Sequence, residues 1–334
     1  MIILSQIEQI DRTQWNTLVK ESTTATWFQT PEAYDFYVSL PDIFSPFVVV
    51  VQRKDRFMGL CVGYITKEKN LIKQFFSRRA IIIGGPLIAK DIADEELLAL
   101  LTEIKRQLRR KVIYIETRNF NDYSHWRSLF EQCGFKYQPH YDMQIDTHQS
   151  WMEIENSIGK HRKKYIRLSY RDGIEVELHP SIEQVREYYK LLQHLYCEKI
   201  KLPLYPWSFF EHLYYVPSCH YFLVHYAERV IGGSICMSLE KHGIYEWFAC
   251  GKDGVYKNIH PSSVTKYIGI KFAADNNYPI FDMMGAGKPE EEYGVRDFKA
   301  EFGGQLVEYG RFFYSCSPLL FVIGKIGVKL LKKI

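Results

Sequence analysis

The main structural signal is a pattern that occurs twice, as FVVVVQRKDRFMGLCVGYIT at residues 47–66 and as YFLVHYAERVIGGSICMSLE at residues 221–240. In each stretch an apolar run meets a charged turn and is followed by a second apolar run. Glycine follows the turn at the same place in both, as Gly59 and Gly232. This pattern predicts a β-hairpin in each half of the chain.

The elements around the two hairpins also occur in the same order. In each half we predict two helices before the hairpin, then a strand, a helix and a short buried strand. A short amphipathic helix, a glycine (Gly134 or Gly303) and a closing strand follow. The predicted ranges are 12–20, 31–39, 81–85, 94–110, 112–117 and 126–146 in the first half, and 182–199, 207–215, 244–251, 262–275, 279–285 and 295–315 in the second. Two copies of one mixed α/β unit explain this order.

The chain length of 334 residues also favours two domains, because single hydrophobic cores rarely grow this large. We expect an N-terminal domain at 1–148, a C-terminal domain at 149–316 and a separate tail at 317–334. The boundary is placed in the polar stretch near 147–150. A helix over 151–172 is expected to join the two halves.

Composition and charge restrict the class of function. Apolar residues make up 46% of the chain and charged residues 25%, which is typical of a globular protein. The net charge of +4 is concentrated at 160–171 and 309–334, stretches without an acidic residue. This favours two local anion-facing patches over a general nucleic-acid coat. The seven cysteines are scattered without CxxC spacing, so neither a disulfide framework nor a zinc site is expected.

The first residues show no basic segment followed by an apolar core, which is the pattern of a secretory signal. We therefore expect a cytoplasmic protein, at the inner face of the membrane if the tail binds lipid. The eleven histidines form no cluster with metal-ligand spacing, so we expect no catalytic metal.

Three stretches resemble the FemABX-like peptidyltransferases, which add amino acids to cell-wall precursors. They are HRKKYIRLSYRDGIEVE at 161–177, the stretch 245–285 that ends in PIFDMMG, and GVRDFKAEFGG at 294–304. The N-terminal half contributes WFQTPE at 27–32 and GGP at 84–86. The resemblance implies an α/β (α+β mixed) protein with two tandem GNAT-like domains, each a mixed, mostly antiparallel sheet flanked by helices.

Two features of this family and of ordinary GNAT enzymes are absent from the sequence. There is no pair of long heptad helices, and no R/Q-x-x-G-x-G/A loop of the kind that holds the pyrophosphate of CoA. The loop at the equivalent place is YKNIHPSSV, 256–264. Its Pro261 suits the first turn of a helix and Ser262 or Ser263 suits the cap, so we predict that His260, Ser262 and Ser263 bind an anion through helix N-terminal amides.

The resemblance implies attack by an amine on an activated acyl group. Lys299, between Phe298 and Phe302, matches the lysine placed near the reacting carbonyl in this family; the alternative is a surface lysine. Glu246 is the candidate base, beside Tyr245 as a substrate contact; the alternative for Glu246 is an outward-facing strand residue. Asp282 ends a predicted buried strand and must be paired or functional there.

The basic stretch 160–171 is expected to bind the acceptor. On a helical projection Lys160, Lys163, Lys164, Arg167 and Arg171 form one stripe, and Arg162 lies on the apolar side. A solvated face is one explanation, and a phosphate-bearing acceptor is the other. Gly159 could interrupt the helix. The predicted substrate-binding residues are Arg162, Lys163, Arg167, Arg171, Tyr245, Asp282 and Phe298.

The tail SPLLFVIGKIGVKLLKKI, 317–334, is apolar with lysines at 325, 329, 332 and 333. It is too short and too interrupted by glycine to span a bilayer. It is expected either to pack on the core or to lie on an anionic membrane surface.

Three functions remain open from the sequence. The first is a FemABX-type N-acyltransferase that uses aminoacyl-tRNA to modify an amine on a lipid- or nucleotide-linked envelope precursor, in which case tRNA is a partner. The second is an acyl-CoA-dependent N-acyltransferase in surface-polysaccharide synthesis. The third is a non-catalytic binding protein. No tightly bound cofactor is expected in any of them.

Overall fold

The chain folds into two α/β units, each built on one mixed β-sheet. The structure is a computed structural model that describes residues 1–68, 74–75 and 77–331, with side chains up to residue 324. Unit 1 contains Met1–His140 and Glu308–Ile334, and unit 2 contains Tyr141–Val307. The predicted α/β class is confirmed.

Eleven α-helices are present in the described part of the chain. They are α1 (Arg12–Glu21), α2 (Pro31–Val38), α3 (Asp94–Leu108), α4 (Arg127–Gln132), α5 (Trp151–Ser157), α6 (Lys160–Arg171), α7 (Ile182–Leu195), α8 (Trp207–Tyr214), α9 (Pro261–Asp275), α10 (Gly294–Ala300) and α11 (Pro318–Leu331). Among the residues described, no helix is long and apolar enough to cross a membrane.

The strands alternate with these helices in the predicted order. They are β1 (Ile2–Leu4), β2 (Phe44–Arg53), β3 (Arg56–Thr66), β4 (Arg79–Ile83), β5 (Leu87–Ile88), β6 (Tyr114–Arg118), β7 (Lys136–Gln138), β8 (Tyr141–Asp146), β9 (Glu175–Glu177), β10 (Cys219–Tyr226), β11 (Arg229–Leu239), β12 (Gly243–Gly251), β13 (Ile280–Gly285), β14 (Gln305–Glu308) and β15 (Arg311–Ser315). The sheet of unit 1 has the order β1-β2-β3-β4-β6-β15-β7, with β5 also on β3. The sheet of unit 2 has the order β14-β8-β13-β12-β11-β10-β9.

Both hairpins predicted from the repeated pattern are confirmed, as β2–β3 and β10–β11. Each hairpin closes through a two-residue turn. In the first turn Lys54 has a positive φ (52°), and in the second both Ala227 (φ 49°) and Glu228 (φ 60°) do. Such turns match the right-handed twist of paired strands, although glycine or asparagine adopts them more readily. Valines of β2 and residues of β3 then face the core of unit 1.

The closing strands are exchanged relative to the prediction. Strand β8, expected to complete the first domain, pairs with β13 in the sheet of unit 2. Strand β15, expected to complete the second, pairs with β6 and β7 in unit 1. The predicted boundaries at 148/149 and 316/317 were therefore wrong, and the chain divides at 140/141 and 307/308. Because two copies of one unit offer equivalent sheet edges, local pattern does not specify which edge a closing strand joins.

The predicted joining helix over 151–172 is interrupted. α5 ends at Ser157, and Ile158 is extended before α6 starts at Lys160. The amide of Gly159 donates to the carbonyl oxygen of Glu301 at 2.7 Å, so it takes no part in a continuous helix. The helical projection made from the sequence therefore applies within α6 and does not extend from α5 into α6.

The strand exchange makes a testable prediction about which core Phe312 stabilises. Phe312 of β15 stacks on Phe130 at 3.8 Å with nearly parallel rings, and both are buried. We expect Phe312→Ala and Phe130→Ala each to lower the free energy of unfolding by about 3–5 kcal/mol. Because the rings touch, their double-mutant cycle in urea unfolding should show a coupling energy of at least about 1 kcal/mol.

Phe302→Ala is the matched control, because Phe302 is fully buried in the core of unit 2. Its effect should add to that of Phe312→Ala without coupling. Coupling of Phe312 to Phe302 and not to Phe130 would contradict the observed strand exchange.

Candidate active site

In unit 2 two parallel strands separate near the middle of the sheet. β12 and β13 are in register at Ile244–Phe281 and Tyr245–Asp282, and β12 then continues to Gly251 beside the gap. In unit 1 the corresponding strands β4 and β6 stay paired along their full length. The two units therefore differ in how far the corresponding parallel strands stay paired.

A β-bulge lies at the point of separation. Ile235 pairs with Phe248 and Cys236 with Glu246, so Trp247 is an extra residue on β12. Bulges bend a strand and change the direction of its side chains. Here the bulge follows Glu246, the candidate base, at the start of the gap.

Glu246 is buried, with 5% of its surface exposed, so the alternative of an outward-facing residue was wrong. Its Oε2 is in direct contact with Nζ of Lys266 from α9, and Lys266 is equally buried. Oε1 of Glu246 has no hydrogen-bond partner among the described residues. The carboxylate therefore has one oxygen held by an ammonium group and one available to accept a proton.

Sequence reasoning missed Lys266. Burial lowers the pKa of Lys266 well below its usual range, and the charge of Lys299 lowers it further. The sequence contains one signal: Lys266 lies between the apolar residues Val264 and Ile268 of α9, so it is a candidate for a buried and paired lysine. The partner is specified only by tertiary structure.

Lys299 is also buried, with 6% exposure, which excludes the alternative of a surface lysine. Its Nζ donates to the carbonyl oxygens of Met283, Met284 and Gly285 at 2.5, 3.0 and 2.9 Å. Burial lowers the pKa of Lys299 to about 8, and the carboxylates of Asp142 and Asp282 oppose that shift. Since an ammonium group has three protons, Lys299 must release a carbonyl before it can donate to a substrate oxygen.

Asp282 is completely buried at the last registered position of β13. It accepts hydrogen bonds from Nε2 of Gln144 at 2.9 Å and from the amide of Met284 at 2.5 Å. Burial raises the pKa of Asp282 to about 6, against the effect of these bonds and of Lys299. Tyr245, its partner in register, is 5% exposed. The predicted residues Glu246, Asp282 and Lys299 therefore belong to one buried region around the gap.

The predicted anion site at the start of α9 is already occupied by a side chain. Asp253 accepts from the amide and the hydroxyl of Ser262. The next two amides, of Ser263 and Val264, donate to the carbonyl of His260. His260 itself stacks on Tyr165 at 4.0 Å, and burial lowers its pKa. With the first amides bonded and a carboxylate in place, this helix end does not offer the predicted free amides.

Of the basic residues in α6, Arg162 makes the interior contacts. Its guanidinium donates to Glu301 at 2.8 Å and to Oγ of Ser263 at 3.3 Å, and it lies 4.4 Å from the ring of Phe298. The side chain is 17% exposed. The helical projection placed Arg162 away from the charged stripe, and Arg162 is the residue that reaches the start of α9.

The other cations of α6 make local contacts. Lys163 donates to the carbonyl of Asn156, Arg167 to that of Lys163, and Arg171 pairs with Asp172 at 2.6 Å. Arg167 and Arg171 are exposed. The structure does not bring these three residues to the region around Glu246 and Lys299.

Breaking the buried pair of Glu246 and Lys266 should strongly destabilise unit 2. We expect Glu246→Gln or Lys266→Met alone to lower the free energy of unfolding by about 3–5 kcal/mol, because each leaves an uncompensated buried group. The double variant should recover much of that loss, as measured by urea unfolding. Lys271→Met is the control, since Lys271 forms an exposed pair with Asp275 and should cost about 0.5 kcal/mol or less. Additive losses in the double variant would contradict a coupled pair.

Asp282 should give stability a distinct pH dependence. Its pKa is raised to about 6 in the folded protein, so the native state holds this proton more tightly than the unfolded chain. The resulting contribution is fully present below about pH 4 and is lost as pH rises through about 6. Asp282→Asn should remove this part of the profile in urea unfolding at pH 4–7, whereas the exposed Asp275→Asn should retain it. An unchanged profile in Asp282→Asn would contradict the assignment.

No protein-family model matches the chain, and no curated protein matches it. Solved structures match over nearly its whole length at low identity. FemX superposes with a TM-score of 0.72 at 15% identity, covering 97% of this chain and 99% of that one. A tandem GNAT protein from the clavulanic acid biosynthesis pathway gives 0.60 at 8% identity (95% and 99%), and L-PGS from Bacillus licheniformis gives 0.58 at 12% (96% and 97%). The chain therefore has the FemABX-like tandem GNAT fold that its sequence motifs predicted.

Proposed function

We propose that the protein is an N-acyltransferase whose acyl donor enters the gap between β12 and β13 of unit 2. The observation that carries this proposal is the separation of two parallel strands beside a buried carboxylate, Glu246, with one oxygen available. An acyl group held between these strands would have its carbonyl near Glu246. The likeness to FemX and to a tandem GNAT protein, which is a likeness of fold, supports the same reaction class.

The reaction is nucleophilic acyl substitution. The acceptor amine attacks the carbonyl carbon, a C–N bond forms, and the bond from that carbon to the donor oxygen or sulfur breaks. Glu246 takes the proton that the amine loses, and a proton is returned to the leaving group. Lys299 stabilises the oxyanion if it turns one N–H from the carbonyl of Met284 or Gly285 toward the gap.

The donor is proposed to be an aminoacyl-tRNA. Ordinary CoA binding uses free amides at the start of the equivalent helix, and Asp253 occupies that place here. A carboxylate at this position repels a pyrophosphate, which weighs against the acyl-CoA alternative. The exposed cations of α6 supply charge for a phosphate-bearing RNA or for an acceptor linked to a nucleotide or lipid diphosphate.

The acceptor is proposed to be an amine on a cell-envelope precursor, as the FemABX resemblance implies. A non-catalytic protein would be favoured if Lys299 and Glu246 were both exposed and away from a cleft. Both are buried, at 6% and 5% exposure, and border the gap, so this alternative has no supporting observation.

The test is a transfer assay with the full-length chain. Aminoacyl-tRNA and acyl-CoA are supplied separately with a UDP-linked muropeptide, and the product is identified by its mass. Product from aminoacyl-tRNA alone supports the proposal. Product from acyl-CoA alone would instead support the acyl-CoA-dependent N-acyltransferase. Absence of product with both donors and several amine acceptors would overturn the proposal of N-acyl transfer.

Once a substrate pair is found, Lys299→Ala should lower kcat about 100-fold or more, because the oxyanion loses its donor. Lys288→Ala is the matched control, since Lys288 is an exposed lysine in the loop before α10. Lys299 also holds the end of β13, so the urea midpoint of each variant must be measured alongside the rate. A folded Lys299→Ala protein with the wild-type kcat would exclude this lysine from catalysis.

A further inference from the structure

Helix α11 carries apolar side chains on two faces. One face packs on unit 1, where the ring of Phe321 lies 5.4 Å from Tyr114 and 4.7 Å from Phe313. The other face exposes Leu319, Val322 and Ile323, with 72, 53 and 44% of their surfaces accessible. The spacing of these three residues places them on one side of the helix. A contiguous exposed apolar face of this kind is typical of an interaction surface.

The start of α11 is attached to a basic segment of unit 1. The carbonyl of Ile113 accepts from the amides of Cys316 and Ser317 at 2.8 and 3.0 Å. Arg109, Arg110 and Lys111, all three exposed, precede Ile113 with Val112 between. Because a residue spans at most about 3.6 Å, Lys111 lies within about 7 Å of Ile113, the residue to which the start of α11 is hydrogen-bonded.

A second segment brings further positive charge to the same place. The amide of Ile113 donates to the carbonyl of Arg78 at 2.8 Å, and Arg79 follows in β4. The guanidinium of Arg78 lies 5.2 Å from the ring of Phe75, which is 47% exposed. The sequence contains no acidic residue in 74–79, 109–113 or 316–323. Backbone hydrogen bonds thus link three segments that carry exposed apolar side chains and basic residues, and none of the three contains an acidic residue.

We propose that this surface, formed by Leu319, Val322, Ile323, Arg109, Arg110 and Lys111, docks the protein on an anionic lipid bilayer. Apolar side chains enter the boundary between headgroups and acyl chains, and the cations contact anionic headgroups. Self-association through the same surface is opposed, because a two-fold contact would bring like charges together. The tail lysines Lys325, Lys329, Lys332 and Lys333, named from the sequence, lie outside the described side chains. The proposal is independent of the transferase activity.

The test is co-sedimentation of the full chain with vesicles of phosphatidylcholine, with and without phosphatidylglycerol. We expect binding only to vesicles that contain phosphatidylglycerol, and weaker binding as salt is raised. Arg109→Glu/Arg110→Glu should lower the partition coefficient at least about tenfold, because each cation near the surface contributes about fivefold. Leu319→Asp/Val322→Asp should have a similar effect.

The controls match each change elsewhere on the surface. Lys20→Glu/Lys54→Glu alters the net charge equally at exposed sites of unit 1, and Tyr215→Asp replaces an exposed aromatic residue of unit 2. All variants should keep the wild-type urea midpoint, since the substituted side chains are exposed. Failure of the wild type to bind the anionic vesicles, or equal loss in the controls, overturns the proposal. So does a wild-type dimer in light scattering that the Leu319/Val322 variant dissociates, because the surface would then bind a second copy.

Discussion

The three hydrogen bonds from Lys299 to successive carbonyls determine where β13 ends. Successive carbonyls of a regular strand point to opposite edges, so the three carbonyls at 283–285 reach one ammonium group only because β13 is irregular there. Met284 has a positive φ of 57°, a conformation that costs free energy in a residue with a side chain and that the ammonium group helps to maintain. The gap beside β12 exists because one strand is held in an irregular end while the other continues. The same residue thus links the stability of unit 2 to the shape of its candidate site.

The two units share one fold but differ at their corresponding parallel strands. In unit 1 the parallel strands β4 and β6 stay paired, and the start of α3 is satisfied by Glu96, which accepts from the amide of Ala93 and pairs with Arg53. In unit 2 the strands separate, and Glu246, Lys266, Asp282 and Lys299 are buried beside the gap. Burial of Glu246 and Lys266 is unfavourable unless they stay together, so the fold of unit 2 must keep this pair intact.

The sequence predicted those features of the fold that depend on residues close together in the chain. Both hairpins and the order of the elements follow from periodicity and turn residues and were confirmed, whereas the predicted helix over 151–172 is interrupted at 158–159. Asp282 was predicted because a polar residue in an apolar strand requires an explanation, whereas Glu246 and Lys299 were predicted from the resemblance to a known family. Lys266 and Asp253 were missed, since their partners are distant in sequence and only the fold brings them together. For the same reason the exchange of the closing strands was not predicted.

The strand exchange has a consequence for synthesis on the ribosome. Unit 2 is one continuous segment, so it can complete its sheet as soon as residue 308 has left the exit tunnel. The first segment of unit 1 is translated before unit 2, yet its sheet lacks β15 until residue 315 has been made. During that interval β6 and β7 have an unpaired edge between them, which is the kind of surface that chaperones bind and that promotes aggregation. The order of translation is therefore the reverse of the order in which the two sheets can be closed.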